Sequence, residues 1–153
     1  MSHYYIDTSA LLKRYLVETG SSWVRSITDA ESSHAILISE LTLAEAAAGI
    51  AARSRMPGGI SNNRRIRILG QFLRECDERY DLLATNRIII DRAVDLTQKF
   101  RLRGYDAVQL ATALIAQSAI PSTIELRFVT NDRDLGVAAT AEGLEVDNPS
   151  DKG

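Results

Sequence analysis

The 153-residue chain has a single cysteine, Cys76, so no disulfide can form within it, and a reducing, cytoplasmic setting is the simplest reading. It has only two histidines, His3 and His34, and no paired His/Cys set with the spacing of a zinc site. Neither sign of charge dominates. Eighteen Lys and Arg face 20 Asp and Glu, giving a net charge of -2, which does not suggest a protein that coats nucleic acid non-specifically. It does not exclude a nuclease whose acidic site lies beside local basic patches. No apolar run is long enough to span a bilayer, and the start MSHYYID lacks the basic and apolar segments of a signal peptide. A G-x-x-x-x-G-K-[ST] loop is absent, as is any Ser-His-Asp arrangement, and Cys76 lies in a helical pattern without a base beside it. There is no internal repeat and no low-complexity segment.

What is present is an alternation of short apolar runs and helical patterns. Residues 3–6, 35–39, 81–85, 126–130 and 144–146 read as strands. Helical patterns cover about 10–16, 21–27, 41–56, 61–80, 89–102, 106–120 and 135–142, with Gly20, Pro57-Gly58-Gly59, Gly104, Pro121 and Gly143 as breaks. In residues 61–80, Ile66, Leu69, Phe72, Leu73 and Cys76 recur at helical spacing and are taken as its core face. Such alternation predicts an α/β chain with a central parallel sheet and helices on both faces. Residues 1–147 read as one domain, and 148–153 as a frayed tail.

Four carboxylates stand at element ends: Asp7 after the first strand, Glu45 and Asp106 near helix starts, and Asp132 after the strand at 126–130. Each has an ordinary reading. Asp7 can cap a helix, and Glu45 can close a capping box in Thr42-Leu43-Ala44-Glu45. Asp106 can favour a helix dipole, and Asp132 can form an Asx turn. Taken together they point further. In open α/β sheets ligands bind beyond the carboxyl ends of the strands. The apolar flanks of these acids draw them inward, and few Lys or Arg stand nearby to neutralise them. An all-oxygen donor set suits Mg²⁺ or Mn²⁺, which would polarise water for attack and offset charge on a phosphodiester.

The same residues resemble the PIN-domain ribonucleases, most closely the VapC-type toxins of toxin–antitoxin pairs, over nearly the whole chain. The matching segments are Tyr5-Ile6-Asp7-Thr8-Ser9-Ala10-Leu11-Leu12, Leu41-Thr42-Leu43-Ala44-Glu45, Asp106 to Leu114, and Phe128-Val129-Thr130-Asn131-Asp132. The resemblance implies a three-layer α/β/α sandwich and metal-dependent endoribonuclease activity. Asp7, Glu45, Asp106 and Asp132 would surround one or two Mg²⁺ or Mn²⁺ ions. Thr8, Ser9 and Thr130 would support the site, and Asp134 would be a further ligand or a neighbour of one. It also implies an RNA substrate, a small antitoxin partner that inserts a segment near the acids, and a homodimer. Where the family usually has a small residue, this chain has Asn131. Lys13, Arg14, Arg101 and Arg103, each close in sequence to a motif acid, are the candidate contacts to RNA phosphates. Two other readings compete: a PIN-like binding module without catalysis, and a haloacid dehalogenase-type phosphatase. The latter wants a second Asp two residues after Asp7, where this chain has Ser9.

Overall fold

The computed structural model describes residues 1–153. Five short strands, β1 (His3–Ile6), β2 (Ala35–Ser39), β3 (Asp81–Leu83), β4 (Leu126–Val129) and β5 (Glu145–Asp147), form one all-parallel sheet in the order β3-β2-β1-β4-β5. The helices are α1 (Thr8–Tyr15), α2 (Ser21–Thr28), α3 (Leu41–Arg55), α4 (Asn62–Glu78), α5 (Arg87–Lys99), α6 (Gly104–Ala119) and α7 (Arg133–Ala141).

Side chains alternate across a strand, so each strand feeds two cores. Ile6, Ile36, Ile38 and Val129 pack with α1, α3 and α4 through Leu11, Ile50 and Phe72. Tyr5, Leu37 and Phe128 pack on the other face with α5, α6 and α7 through Leu96, Leu110 and Leu135. The result is the α/β/α sandwich that the alternating pattern predicts.

The strand order places the site. From β1 the chain moves outward through β2 to β3 on one side, while β4 and β5 build the other. The direction reverses between β1 and β4, which leaves a crevice beyond their carboxyl ends. Ile6 pairs with Val129 in register, and the Asp7 amide donates to the Val129 carbonyl at 3.0 Å, so Asp7 and Thr130 emerge side by side.

Three sequence expectations need correction. The apolar stripe of α4 runs through Ile68, Phe72 and Cys76, whereas Ile66 and Leu73 face solvent, exposed to 54% and 39%. Two interleaved stripes at helical spacing were both apolar here, and only contact with the sheet chooses between them. Gly104 does not break a helix but is the first residue of α6, where its freedom costs little because the turn is only beginning. The end of the chain is not frayed. Pro149–Lys152 forms a 3-10 turn with Pro149 buried. Lys152 Nζ lies 2.9 Å from Asp147 and also sits over the Trp23 ring. Gly20 makes room for this docking: its φ is +89°, and a Cβ there would come within 2.6 Å of the Pro149 carbonyl oxygen.

Candidate active site

Asp7 is the N-cap of α1, with extended backbone, and its Oδ1 accepts from the Ala10 amide at 3.0 Å. The capping reading is therefore correct, but it uses only part of the carboxylate. The Ser9 hydroxyl donates to Oδ1 at 2.8 Å, and the Thr130 hydroxyl donates to Oδ2 at 2.6 Å. Thr130 in turn accepts from the Asp132 amide at 3.1 Å, and Ser9 accepts from the Asn131 amide at 3.0 Å. These bonds tie the end of β1 to the turn after β4. Asn131 takes a second role in the turn, accepting from the Ser150 hydroxyl through its own side chain.

Asp132 likewise caps α7, where Oδ1 accepts from the Leu135 amide at 3.0 Å. Glu45 does not close a capping box. Helix α3 begins at Leu41, one residue before Thr42, so Glu45 lies beyond the first turn. Its Oε1 accepts instead from the Thr8 hydroxyl at 2.9 Å and from Gln109 Nε2 at 2.8 Å. Asp106 lies in the first turn of α6 and is half-buried.

Two of the four acids, Asp7 and Asp106, are perturbed by burial and by their acidic neighbours. Burial pushes the Asp7 carboxyl up to about 6, against the opposing hydrogen bonds from Thr130, Ala10 and Ser9, and the charge of Asp106 adds to the rise. Asp106 is also raised, first by desolvation, then by the Asp132 charge and in smaller part by Glu45, with Arg103 pulling the other way. None of the ion pairs in the chain includes any of these four carboxylates. The crevice thus holds clustered negative charge without a bonded cation.

That donor chemistry fits a hard divalent ion. As the side chains stand, no three acids are close enough to share one directly. Mg²⁺ does not need three, since it commonly keeps several waters and binds through one or two carboxylates. Asp106 and the Oδ2 of Asp132 take no hydrogen bond from the chain, which leaves them open to such an ion.

Two proposed RNA contacts are corrected by the structure. Lys13 is buried, only 3% exposed, and its ammonium donates to the Thr19 carbonyl at 2.8 Å. Arg14 is committed to Glu75 on α4, which it approaches to 2.7 Å, and to the Thr28 hydroxyl. Glu75 also takes Arg79 and the Gln71 amide, and these partners hold its carboxyl below the usual range despite burial. Both basic side chains serve the packing of α1, α2 and α4. Arg101 and Arg103 are exposed and line a hollow with Asp134, which is itself exposed and bonds none of the four acids. Gln109 and Tyr5, to which sequence reasoning gave no role in the site, join the acidic network, and Thr42, read there only as a cap, joins it through Gln109. The available signal was Gln109 itself, a polar residue inside the apolar run Ala107-Val108-Gln109-Leu110-Ala111.

The family profile of the PIN domain matches residues 4–141. The chain belongs to the PIN domain family. No curated protein matches it. Among solved structures it is similar to a toxin–antitoxin complex from Klebsiella pneumoniae, at 20% identity and TM-score 0.59, covering 95% of this chain and 97% of that one. It is similar to VapBC2 from Rickettsia felis, bound to a DNA fragment from its promoter, at 14% identity and TM-score 0.64, covering 95% and 98%. A third is VapC20 from Mycobacterium tuberculosis, described as a toxin cleaving the sarcin–ricin loop, at 12% identity and TM-score 0.63, covering 92% and 95%. At these identities the likeness establishes the shared PIN fold.

The raised Asp7 carboxyl has a consequence for stability. The folded chain keeps that proton to about pH 6, whereas the unfolded chain releases it near the ordinary value of 3.8. Between those values the folded state binds more protons, so stability falls as pH rises through the window. The shift corresponds to about 3 kcal/mol. Without metal, Asp7→Asn is therefore expected to gain stability relative to wild type by about that amount from pH 4 to pH 7. Urea unfolding in EDTA at several pH values measures it, and a difference that stays flat with pH contradicts the assignment.

Proposed function

We propose that this PIN-domain chain is a metal-dependent endoribonuclease and the toxin of a VapC-type toxin–antitoxin pair. The observation that carries the reading is the cluster of Asp7, Glu45, Asp106 and Asp132 at the crevice between β1 and β4, with no cationic side chain bonded to any of them. Glu45 and Asp106 cap no helix, yet both stand near the crevice where the capping residues Asp7 and Asp132 lie. The similar structures, which include a toxin cleaving the sarcin–ricin loop, a toxin–antitoxin complex and a VapBC2 assembly, are in line with this function.

In this reading Asp7, Asp106 and Asp132 hold one or two Mg²⁺ or Mn²⁺ ions, with Glu45 completing the negative set. A divalent ion held there would supply Lewis acidity toward water and the scissile phosphate. The chain's own residues do the rest. Thr130 and Ser9 fix the Asp7 carboxylate in orientation through their hydroxyl donors, so it does not reorganise as the substrate arrives. Burial favours a proton on Asp7, so a cation binding there would have to displace it, and its binding would strengthen as pH rises through about 6. Arg101 and Arg103, exposed at the start of α6, offer guanidinium groups to flanking RNA phosphates without base selectivity.

Two partners belong to the reading. A small antitoxin would neutralise the site. A homodimer is supported by an uncharged groove of about 480 Å³ between α5 and α6, where Leu41, Ile90, Val94 and Tyr105 meet. Val94 and Tyr105 are exposed to 55% and 62%. A dimer at micromolar concentration in sedimentation equilibrium, dissociated by Val94→Asp, is expected; a wild-type monomer contradicts it.

Purified protein should cut total cellular RNA into discrete fragments with Mg²⁺ or Mn²⁺, and not in EDTA. Asp7→Asn should abolish the cutting while RNA binding persists. Cleavage that survives Asp7→Asn would sink the metal-site reading. Folded wild type that cuts no RNA under either metal would favour the binding-module alternative. Arg103→Ala should weaken RNA binding and lower the salt slope of log K by about 1. An unchanged slope removes Arg103 from the RNA path. A short reading frame for a DNA-binding antitoxin just upstream of the gene is expected, and its absence would point to a stand-alone RNA-processing enzyme.

A further inference from the structure

Gln109 is the least expected polar residue in the molecule. It lies in the middle of the buried stretch of α6, 2% exposed, between Val108 and Leu110. Its carboxamide is used at both ends. Oε1 accepts from the Tyr5 hydroxyl at 2.6 Å. Nε2 donates to Glu45 Oε1 at 2.8 Å and to Thr42 Oγ1 at 3.0 Å, with Thr8 Oγ1 at 3.3 Å.

The orientation of this amide follows from chemistry. An ionised Glu45 can only accept, so the NH₂ end must face it, and the carbonyl end must then take the Tyr5 proton. Tyr5 is fully buried, and its ring is stacked on Phe128 in the sheet at 5.6 Å with 6° between planes, which holds its hydroxyl toward Gln109. A rigid chain of contacts therefore runs from the centre of the sheet through Tyr5 and Gln109 to one oxygen of Glu45. Thr8 donates to the same oxygen at 2.9 Å, and no group of the chain donates to the other, Oε2. A glutamine kept only for core packing would need no carboxylate partner, and an apolar residue of similar size would fill the space without the cost of burying an amide.

We infer that Gln109 is a positioning residue, its carboxamide oriented by Tyr5, which clamps Oε1 of Glu45 and leaves Oε2 to face a divalent cation. The inference rests on the metal-dependent reading above, and it adds two residues to the site that touch neither metal nor RNA. Tyr5 acts only through Gln109.

Mn²⁺ binding to the full chain, followed by electron paramagnetic resonance at pH 7, tests it without reference to cleavage. Gln109→Leu should weaken Mn²⁺ binding about 10- to 100-fold, the usual cost of losing a group that orients a ligand. Tyr5→Phe, which keeps the stacked ring, should weaken it less, by freeing the amide to turn over. The double variant should bind no more weakly than Gln109→Leu alone. Folded variants that bind Mn²⁺ as wild type does, or a double variant whose losses add, overturn the inference and leave the nuclease reading standing. A wild-type protein that binds no Mn²⁺ overturns that reading and the inference with it. Should Gln109→Leu fail to fold, Tyr5→Phe carries the comparison alone.

Discussion

The Asp7 carboxylate is held from both sides of the point where the sheet reverses direction. Its own helix supplies the Ala10 amide and Ser9 hydroxyl, and the turn after β4 supplies Thr130. Remove these donors and a nearly fully buried anion has no compensation. Keep them and β1, α1 and the β4–α7 turn are fixed relative to one another, since Thr130 and Ser9 also bind the backbone of Asp132 and Asn131. Even so, three hydrogen bonds do not offset the desolvation, and the carboxyl stays well above its ordinary range. The remaining cost falls on folding stability once the proton leaves above about pH 6.

Helix capping and the acidic cluster prove to be one device. Asp7 and Asp132 each cap a helix, and both helices start at the carboxyl ends of adjacent strands. A parallel sheet makes this convergence natural, because every such strand ends at the same edge. Glu45 and Asp106 reach the same place from helices on opposite faces, α3 and α6, and Gln109 and Thr8 bind Glu45 across the gap. Basic residues are excluded from these bonds. Arg14, Arg79, Arg127 and Lys152 spend their charge on Glu75 and Asp147 elsewhere, which leaves the crevice negative.

The fold was legible because strand residues such as Ile6, Leu37 and Phe128 are apolar whichever face they choose, and breaks at Gly20, Pro57 and Gly143 separate the elements. The four acids were legible as residues at element ends. What the sequence could not convey was long-range pairing. Lys13 and Arg14 follow a motif acid, yet the partner that takes Arg14 is Glu75, 61 positions away. Gln109 binds Tyr5, 104 positions away, and a lone glutamine in an apolar run does not announce its partner. Ile66 and Ile68 are both apolar, and only the arrangement of α4 against the sheet shows which is buried. The docked end of the chain depends on Gly20 and Trp23, again far from it in sequence.

The central claim is that the crevice between β1 and β4 carries negative charge awaiting a cation. The most direct measurement is the thermal unfolding midpoint at pH 7 with and without Mn²⁺, for wild type and for Asp106→Asn. The account predicts stabilisation of the wild type that grows with Mn²⁺ concentration, reaching about 2.7 kcal/mol at one hundred times the dissociation constant. It predicts a weaker response in the variant. A midpoint that ignores Mn²⁺ in the wild type, or rises equally in both proteins, would contradict it.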